Sequence, residues 1–458
     1  MGIEAKFRAL AYLVAWGAMG IATQAFSTTA TAPLVVQFNH NDRVRYTEPY
    51  RNLTREGDDL EATLIEHVES AQHQLAIAVQ EIRLPRLAKA IAAKQRAGVS
   101  VRLLLENSYN YDLAQLQELA KKQGYHGERN QEYFRFADTN GDGKVSTAEA
   151  AERDAVYILR QAGVKIQDDT ADASAGSGLM HHKFMIIDNH RVLVTSANFT
   201  MSDVHGDYSR SQTRGNANSL LAFESPKLAA LFAEEFSIMW GSAGRSPKFG
   251  VQKPFRPATT VKLDSGEEVT VQFAGTSRKM SDEESTIGLI LRTLKSARRS
   301  VSMALFVFSE SEFSESLRQV REDRDLEVKA LIEPTFAYRY YSKALDMWGL
   351  QLLPQNCRPA PGSNPWAEPV RTVGVPRVAD GDFLHHKFAV IDDETTIVGS
   401  HNWSRAASEH NDETLLVVKS ARVAAAYGAE FGRWYQNASL GAPNWLVKAV
   451  DESQRRCN

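Results

Sequence analysis

Two strings of the chain carry the same reactive residues at the same spacing. His181 and Lys183 are followed by Asp188, Ser196 and Asn198, and His385 and Lys387 by Asp392, Ser400 and Asn402. Each residue stands 204 positions before its counterpart, His181 before His385 and Asn198 before Asn402, so H-x-K-x4-D-x6-[G/T]-S-x-N recurs without a gap. Two imidazoles, two ammonium groups and two amides on matched elements describe one cationic, anion-binding pocket shared by two similar halves. Lys183 and Lys387 can neutralise the non-bridging oxygens of a phosphodiester, and Asn198 and Asn402 can add hydrogen bonds. A neutral imidazole can attack phosphorus. A protonated one can give its proton to the leaving oxygen and then activate water or an alcohol.

The elements that would position these residues also repeat. In the first half, 35–38 reads as a strand, 58–71 as a helix, and 75–79 and 101–105 as strands separated by another helical stretch. The second half offers strands at 269–273, 301–308 and 328–332 and a helix over 282–297. Val-Gln-Phe recurs in the first strand of each half, and Glu106 and Glu333 close equivalent strands. After each His-Lys string come paired strands, 184–187 with 191–194 and 388–391 with 395–398. Asn189-His190 and Asp393-Glu394 lie between them as tight turns. Strands at 219–223 and 414–418 and helices at 227–240 and 421–435 close the halves. Strands alternating with helices predict an α/β fold with a mixed sheet in each half. The boundaries read as a first half over 33–242, a Pro-rich linker over 243–266, a second half over 267–440 and a C-terminal tail over 441–458. An irregular stretch at 354–381, just before the second motif, reads as a rim loop.

At 458 residues, with 43% hydrophobic and 24% charged residues, the composition is that of a globular protein. A net charge of −3 argues against a blanket electrostatic grip on nucleic acid or anionic membrane and leaves room for a local basic pocket. Lys6 and Arg8 precede an apolar run over 9–22 and then Thr23-Gln24-Ala25. This predicts a cleaved signal peptide over 1–25 and a secreted or periplasmic protein. The run is short for a membrane span. Export permits a disulfide between Cys357 and Cys457, the alternative being two free thiols.

Residues 138–149 match a twelve-residue EF-hand loop, inserted at about 130–160 in the first half only. Oxygen ligands fall at Asp138, Asn140, Asp142, Ser146 and Glu149, Lys144 contributes its backbone carbonyl, and Gly143 stands where the chain must turn sharply. The implied cofactor is a structural Ca²⁺ ion.

The duplicated strings resemble the phospholipase D superfamily, over nearly all of the chain outside the EF-hand and the first residues. The resemblance implies two α/β halves with mixed sheets packed about a pseudo-twofold axis around one active site. It also implies phosphodiester hydrolysis or transfer through a phosphohistidine, with no catalytic metal. By that analogy His181 is the nucleophile and His385 the acid/base. The symmetry of the sequence does not choose between them. Ser196 and Ser400 would orient the pocket, Asp188 and Asp392 would be structural, and His182 and His386 would point away. Such proteins usually carry a later acidic residue that orients a catalytic His. Glu413 takes that place after His385, and Asn218 replaces the acid in the first half. If Glu413 crosses the pseudo-twofold axis it supports His181 as nucleophile; if it serves its own half the assignment reverses. Thr195, where the second motif has Gly399, is a milder departure.

For the substrate, a phospholipid competes with a nucleic acid. Tyr109, Tyr111, Phe336, Tyr338, Tyr340 and Tyr341 would rim the cleft, and with the acidic balance and the secretory start they favour lipid, with peripheral membrane contact allowed. The same rings can stack bases in a secreted, metal-independent nuclease. A third reading is a non-catalytic, calcium-dependent surface-binding protein. It is disfavoured because no His, Lys or Asn of either motif is missing. A monomer is expected.

Overall fold

The computed structural model describes residues 34–123, 127–241, 244–275 and 280–457. The expected signal peptide, 1–25, lies outside them. The first half forms one sheet of seven strands: β1 (Leu34–Phe38), β2 (Gln74–Val79), β3 (Ser100–Leu105), β4 (Lys165–Asp168), β5 (Lys183–Ile187), β6 (Arg191–Thr195) and β7 (Ser219–Glu224), in the order β1-β7-β6-β5-β2-β3-β4. The second half forms one of nine: β8 (Thr259–Lys262), β9 (Glu268–Phe273), β10 (Ser300–Leu305), β11 (Glu327–Ile332), β12 (Val373–Val375), β13 (Lys387–Ile391), β14 (Thr395–Gly399), β15 (Thr414–Lys419) and β16 (Ser439–Leu440). Its order is β8-β9-β15-β14-β13-β10-β11-β12-β16, so seven of its strands repeat the first sheet and one extra strand flanks each edge. In both sheets three strands run parallel (β2-β3-β4 and β10-β11-β12) and the rest antiparallel. The mixed α/β halves expected from the sequence are thus present.

Chain connectivity explains the mixture. Parallel neighbours need long crossovers, and the helices Pro85–Arg96 and Ser311–Arg324 provide them. Antiparallel β5–β6 and β13–β14 need only tight turns. Asp188 and Asn189 both have positive φ, as do Asp392 and Asp393, which is what a mirror-image hairpin turn requires. The turns therefore begin one residue earlier than the sequence suggested, because the motif Asp itself forms each turn.

The helices Pro226–Trp240 and Ala421–Tyr435 lie in a central layer between the two sheets, where Phe184, Phe223, Phe232, Phe273, Phe388 and Tyr427 share one core. The helices Leu60–Ser70 and Pro85–Arg96 cover the outer face of the first sheet, and Thr286–Lys295 and Ser311–Arg324 that of the second. Each fully buried side chain of this size contributes roughly 1.5–3 kcal/mol.

The segments read as a linker and a tail carry regular elements among their described residues. The linker 243–266 ends in β8, which pairs with β9. Within it the fully buried Lys253 bridges Glu235 of the first half (2.5 Å) and Asp412 of the second (2.7 Å). The tail 441–458 carries the helix Asn444–Cys457, which buries Leu446 and Val450. Its last residue forms a disulfide with Cys357, 100 positions earlier. A Pro-rich stretch and a short terminal segment carry little periodic signal, so their order comes from contacts made elsewhere in the fold. Among the described residues no helix is long and apolar enough to cross a membrane.

A cross-link closing so long a loop contributes roughly 2–4 kcal/mol. The double variant Cys357→Ser/Cys457→Ser is therefore expected to lose about that much stability in chemical denaturation, with the wild type following it once dithiothreitol is added.

Candidate active site

The His-Lys strings enter their strands at equivalent points. Lys183 opens β5 opposite Val79, and Lys387 opens β13 opposite Leu305, the last residues of β2 and β10. The two-residue period of a strand puts His181 and Lys183 on one face and His182 on the other. His182 pairs with Glu235 (3.0 Å) and His386 with Glu430 (2.8 Å), both on the central helices. The second His of each string thus ties its strand to the core and, as expected, points away from the reactive groups.

The reactive imidazoles are fixed across the pseudo-twofold axis. His181 Nδ1 pairs with Glu413 Oε2 at 2.8 Å, and His385 Nδ1 pairs with Asn218 Oδ1 at 2.9 Å. Each partner belongs to the other half. The serines complete the match: Ser400 Oγ donates to Glu413 Oε2 (2.6 Å) and Ser196 Oγ donates to Asn218 Oδ1 (2.8 Å). Holding Nδ1 leaves Nε2 of each ring for chemistry. His181, His385, Asn198 and Asn402 all line one cleft of about 700 Å³. The amide oxygens of Asn198 and Asn402 are buried there without hydrogen-bond partners. A half-turn of either amide would present its NH₂ to an anion.

The lysines beneath are buried and differ in their settings. Lys183 Nζ donates to His181 O (2.9 Å) and Gln80 Oε1 (3.3 Å). Lys387 Nζ donates to His385 O (2.7 Å) and sits 4.8 Å from the centre of the Phe306 ring. Burial, and then the nearby Lys183, push the Lys387 ammonium well below its usual range. Burial, then Lys183 and Lys387, likewise depress His181. Burial raises Glu413 against the pull of His401 and Lys183. Each shift has the same root, charge taken out of water. An anion placed between the lysines would relieve the depression of His181 and Lys387.

Asp188 and Asp392 each hold three backbone N–H groups. Asp188 accepts from the N–H groups of Gln72, His73 and Gln74 at 2.8 Å each, and Asp392 from those of Arg298, Arg299 and Ser300 at 2.7–3.0 Å. Each thereby staples its hairpin turn to the start of the neighbouring strand. Gly399 has φ +149° and a Cβ there would meet Thr414 O at 2.1 Å. Thr195 instead donates its hydroxyl to Ser219 O (2.6 Å).

The aromatic rim differs from the expected one. Of the six residues anticipated, Phe336 alone lines the cleft, joined by Phe306, Phe383, Tyr133, Phe136 and Tyr208. Tyr338 packs on Trp348 and Trp445, and Tyr340 on Tyr341. The carbonyls of Tyr109 and Tyr111 accept from Arg83, which fixes that loop beside the cleft without placing its rings in it. Phe306 immediately follows β10, as Gln80 follows β2, and this equivalence could have marked it. Asp203, also in the cleft, carries no motif signal.

The loop 138–149 lies between the helices Glu128–Ala137 and Thr147–Arg153, with Gly141 and Gly143 at positive φ. Asp138 accepts from Gly141 N and Gly143 N, and Asp142 from Lys144 N. Glu149 accepts from Thr139 N, Asn140 N and Ser146 N. Among the described residues no three His, Cys, Asp or Glu side chains converge on one point.

A duplicated His-Lys-Asn set with crossed partners, at the mouth of two fused mixed sheets, defines a phosphodiesterase of the phospholipase D type. The family model described as "Cardiolipin synthase, PLD-like domain" matches residues 64–240 and 290–435, and the chain belongs to that family. The mitochondrial cardiolipin hydrolase of Mus musculus is 26% identical over 210 residues, 45% of this chain and 84% of that one. The Homo sapiens protein of the same name is 28% identical over 156 residues, 33% of this chain and 52% of its own. Among solved structures, the phosphatidylserine synthase of Haemophilus influenzae shares the fold with a TM-score of 0.53. It is 10% identical, over 92% of this chain and 93% of that one.

Glu413→Gln keeps the shape of the His181 partner and removes its charge. Single-turnover phosphodiester cleavage is expected to slow about a hundredfold or more, as when a carboxylate beside a catalytic His becomes an amide, with the thermal unfolding midpoint nearly unchanged. Because His181 is depressed below 6.5, it stays neutral through the neutral range, and the acidic limb of activity should lie below pH 6.5.

Proposed function

We propose that the protein cleaves phospholipid phosphodiesters, by hydrolysis or by transfer to an alcohol, through a covalent phosphohistidine on His181. The observation that carries this reading is the crossed pair of imidazoles, His181 on a carboxylate and His385 on an amide. Glu413 supports the positive charge that His181 gains on bonding phosphorus, and it reaches across the axis to do so. His181 Nε2 forms the N–P bond as the P–O bond to the leaving group breaks. His385 Nε2 passes its proton to the leaving oxygen. In the second step His385 takes a proton from water or an alcohol, whose oxygen bonds phosphorus as the N–P bond breaks. Lys183, Lys387, Asn198 and Asn402 bind the non-bridging oxygens in both steps.

Lipid is favoured over nucleic acid by the walls of the cleft. Phe306, Phe336 and Phe383 present apolar ring surface next to His385. The relatives named as cardiolipin hydrolases support the same choice. The disulfide supports the reading of the first residues as an export signal.

Turnover of phospholipid vesicles and of single- and double-stranded DNA, compared side by side, tests the substrate class. Lipid turnover alone is expected, and DNA turnover alone would overturn the reading. Quenching in alkaline detergent during turnover, which spares the acid-labile N–P bond, should trap the substrate's phosphoryl group on the peptide containing His181, and none should form in His181→Ala.

We further propose that residues 138–149 hold a structural Ca²⁺ ion. Asp138, Asn140, Asp142, Ser146 and Glu149 would supply side-chain oxygens and Lys144 its carbonyl, a hard-oxygen set suited to this ion. When bound, Ca²⁺ would tie the loop to its two flanking helices. Calcium is expected to raise the thermal unfolding midpoint relative to EDTA, and Glu149→Gln should abolish that rise. An equal midpoint in both conditions for the wild type would dismiss the site.

A further inference from the structure

The two halves do not place their carboxylates alike. In the second half the acid is Glu413, in contact with His181. The matching position in the first half is Asn218, which accepts from His385 Nδ1 and carries no charge. A carboxylate nonetheless stands beside His385: Asp203 Oδ1 lies 3.9 Å from its Nδ1. Asp203 belongs to the single helical turn Met201–Val204, which follows Asn198. At the same 204-residue offset the second half has Ala407, on the turn Arg405–Glu409. Each half therefore carries one acid next to an imidazole, but the first half carries it on a different element.

The Asp203 carboxylate is buried and fixed at both oxygens. Oδ2 accepts from Asn198 N (2.8 Å) and Oδ1 from Asn216 Nδ2 (2.5 Å). The Asp203 carbonyl accepts from Asn39 Nδ2 and Asn218 Nδ2, so the residue that hydrogen-bonds His385 also grips the backbone of the residue that charges it. The negative charge of Asp203 also favours the protonated forms of His181 and Lys387.

We propose that Asp203 is a positioning residue that supplies His385 with the negative charge Asn218 lacks, and so keeps that imidazole a proton donor to the leaving oxygen. The proposal rests on the reading of His181 as nucleophile and His385 as acid. Asn218 fixes the tautomer and the ring; the Asp203 carboxylate, 3.9 Å away, stabilises the imidazolium. His385 thus takes its proton back in the second step more readily than an imidazole held by an amide alone.

Other charged groups face the same space. Lys183 and Lys387 lie beneath, Glu413 is opposite on His181, and Asp207 and Arg210 follow on the next loop. Glu81, Arg83 and Glu132 stand on the far wall, and Asp382 and Glu333 hold the chain on either side of the approach to His385. All of them remain in an Asp203 variant, so a change in its pH profile reports Asp203.

The test is Asp203→Asn, measured in single turnovers on two phosphodiesters, one with an alkyl alcohol and one with p-nitrophenol as leaving group. p-Nitrophenolate leaves without a proton, so its burst should fall less than about tenfold. Release of the alkyl alcohol should fall about a hundredfold or more. The alkaline limb for the alkyl substrate should move down by about one pH unit or more, since a neighbouring charge is removed. Asp203→Glu should keep the limb near its wild-type place. Equal losses on both substrates with an unmoved limb would mean that Asp203 only holds Asn198 and Asn216, and would overturn the proposal. If Asp203→Asn does not fold, Asp203→Ser keeps a hydroxyl acceptor, drops the charge and carries the same comparison. Trapping phosphate on His385 instead of His181 would overturn the role assignment, and this proposal with it. The shift would then fall on the acidic limb.

Discussion

The site exists because each reactive imidazole is held by the opposite half. His181 leans on Glu413 and His385 on Asn218, and neither partner reaches the ring in its own sheet. The surrounding contacts keep that exchange in register. His181 N donates to Asp412 O (3.0 Å) and Ala217 N donates to Phe383 O (2.8 Å). A short parallel bridge joins Asn411–Asp412 to Leu179–Met180. The buried Lys253 pins Asp412 to the central helix of the first half. Slippage of one strand by one residue would turn every side chain to the other face and part both pairs at once.

The same burial that fixes these groups leaves them electrostatically unbalanced. Two ammonium groups and two imidazoles are buried together, and burial depresses His181 and Lys387 despite the nearby Asp203. A phosphodiester brings a further negative charge between the lysines. Its non-bridging oxygens would favour the charged form of Lys387, so the substrate completes the site and does more than occupy it. The difference between Gln80 beside Lys183 and the Phe306 ring beside Lys387 breaks the symmetry further. The Phe306 side of the cleft presents ring surface as well as charge.

Most of the fold was legible because the duplication was. Two copies of the spacing placed His181, Lys183, Asn198, His385, Lys387 and Asn402 in matching elements, and most of the expected strands fell within a residue or two of the observed ones. The direction of Glu413 was not legible, since a residue 28 positions past His385 can serve either half and only packing decides. Asp203 was hidden for a related reason: it lies outside the repeated spacing, and its partner is a ring 182 positions away. The aromatic wall was misread because a short helical turn follows each of β3 and β11, and the rings of Tyr109, Tyr338 and Tyr340 do not line the cleft. The register of the hairpin turns was missed by one residue because the motif Asp was placed before the turn instead of within it.

One wall of the cleft does not belong to the duplicated core. Glu132, Tyr133 and Phe136 come from the helix that leads into the inserted loop, and Glu132 also holds the loop at Ser209. The reactive residues and the surface that meets the rest of the substrate are therefore encoded in separable stretches. Changes within the insertion can reshape what the cleft admits while the His, Lys and Asn sets stay as they are. Selection for a new substrate has a place to act that leaves the chemistry untouched.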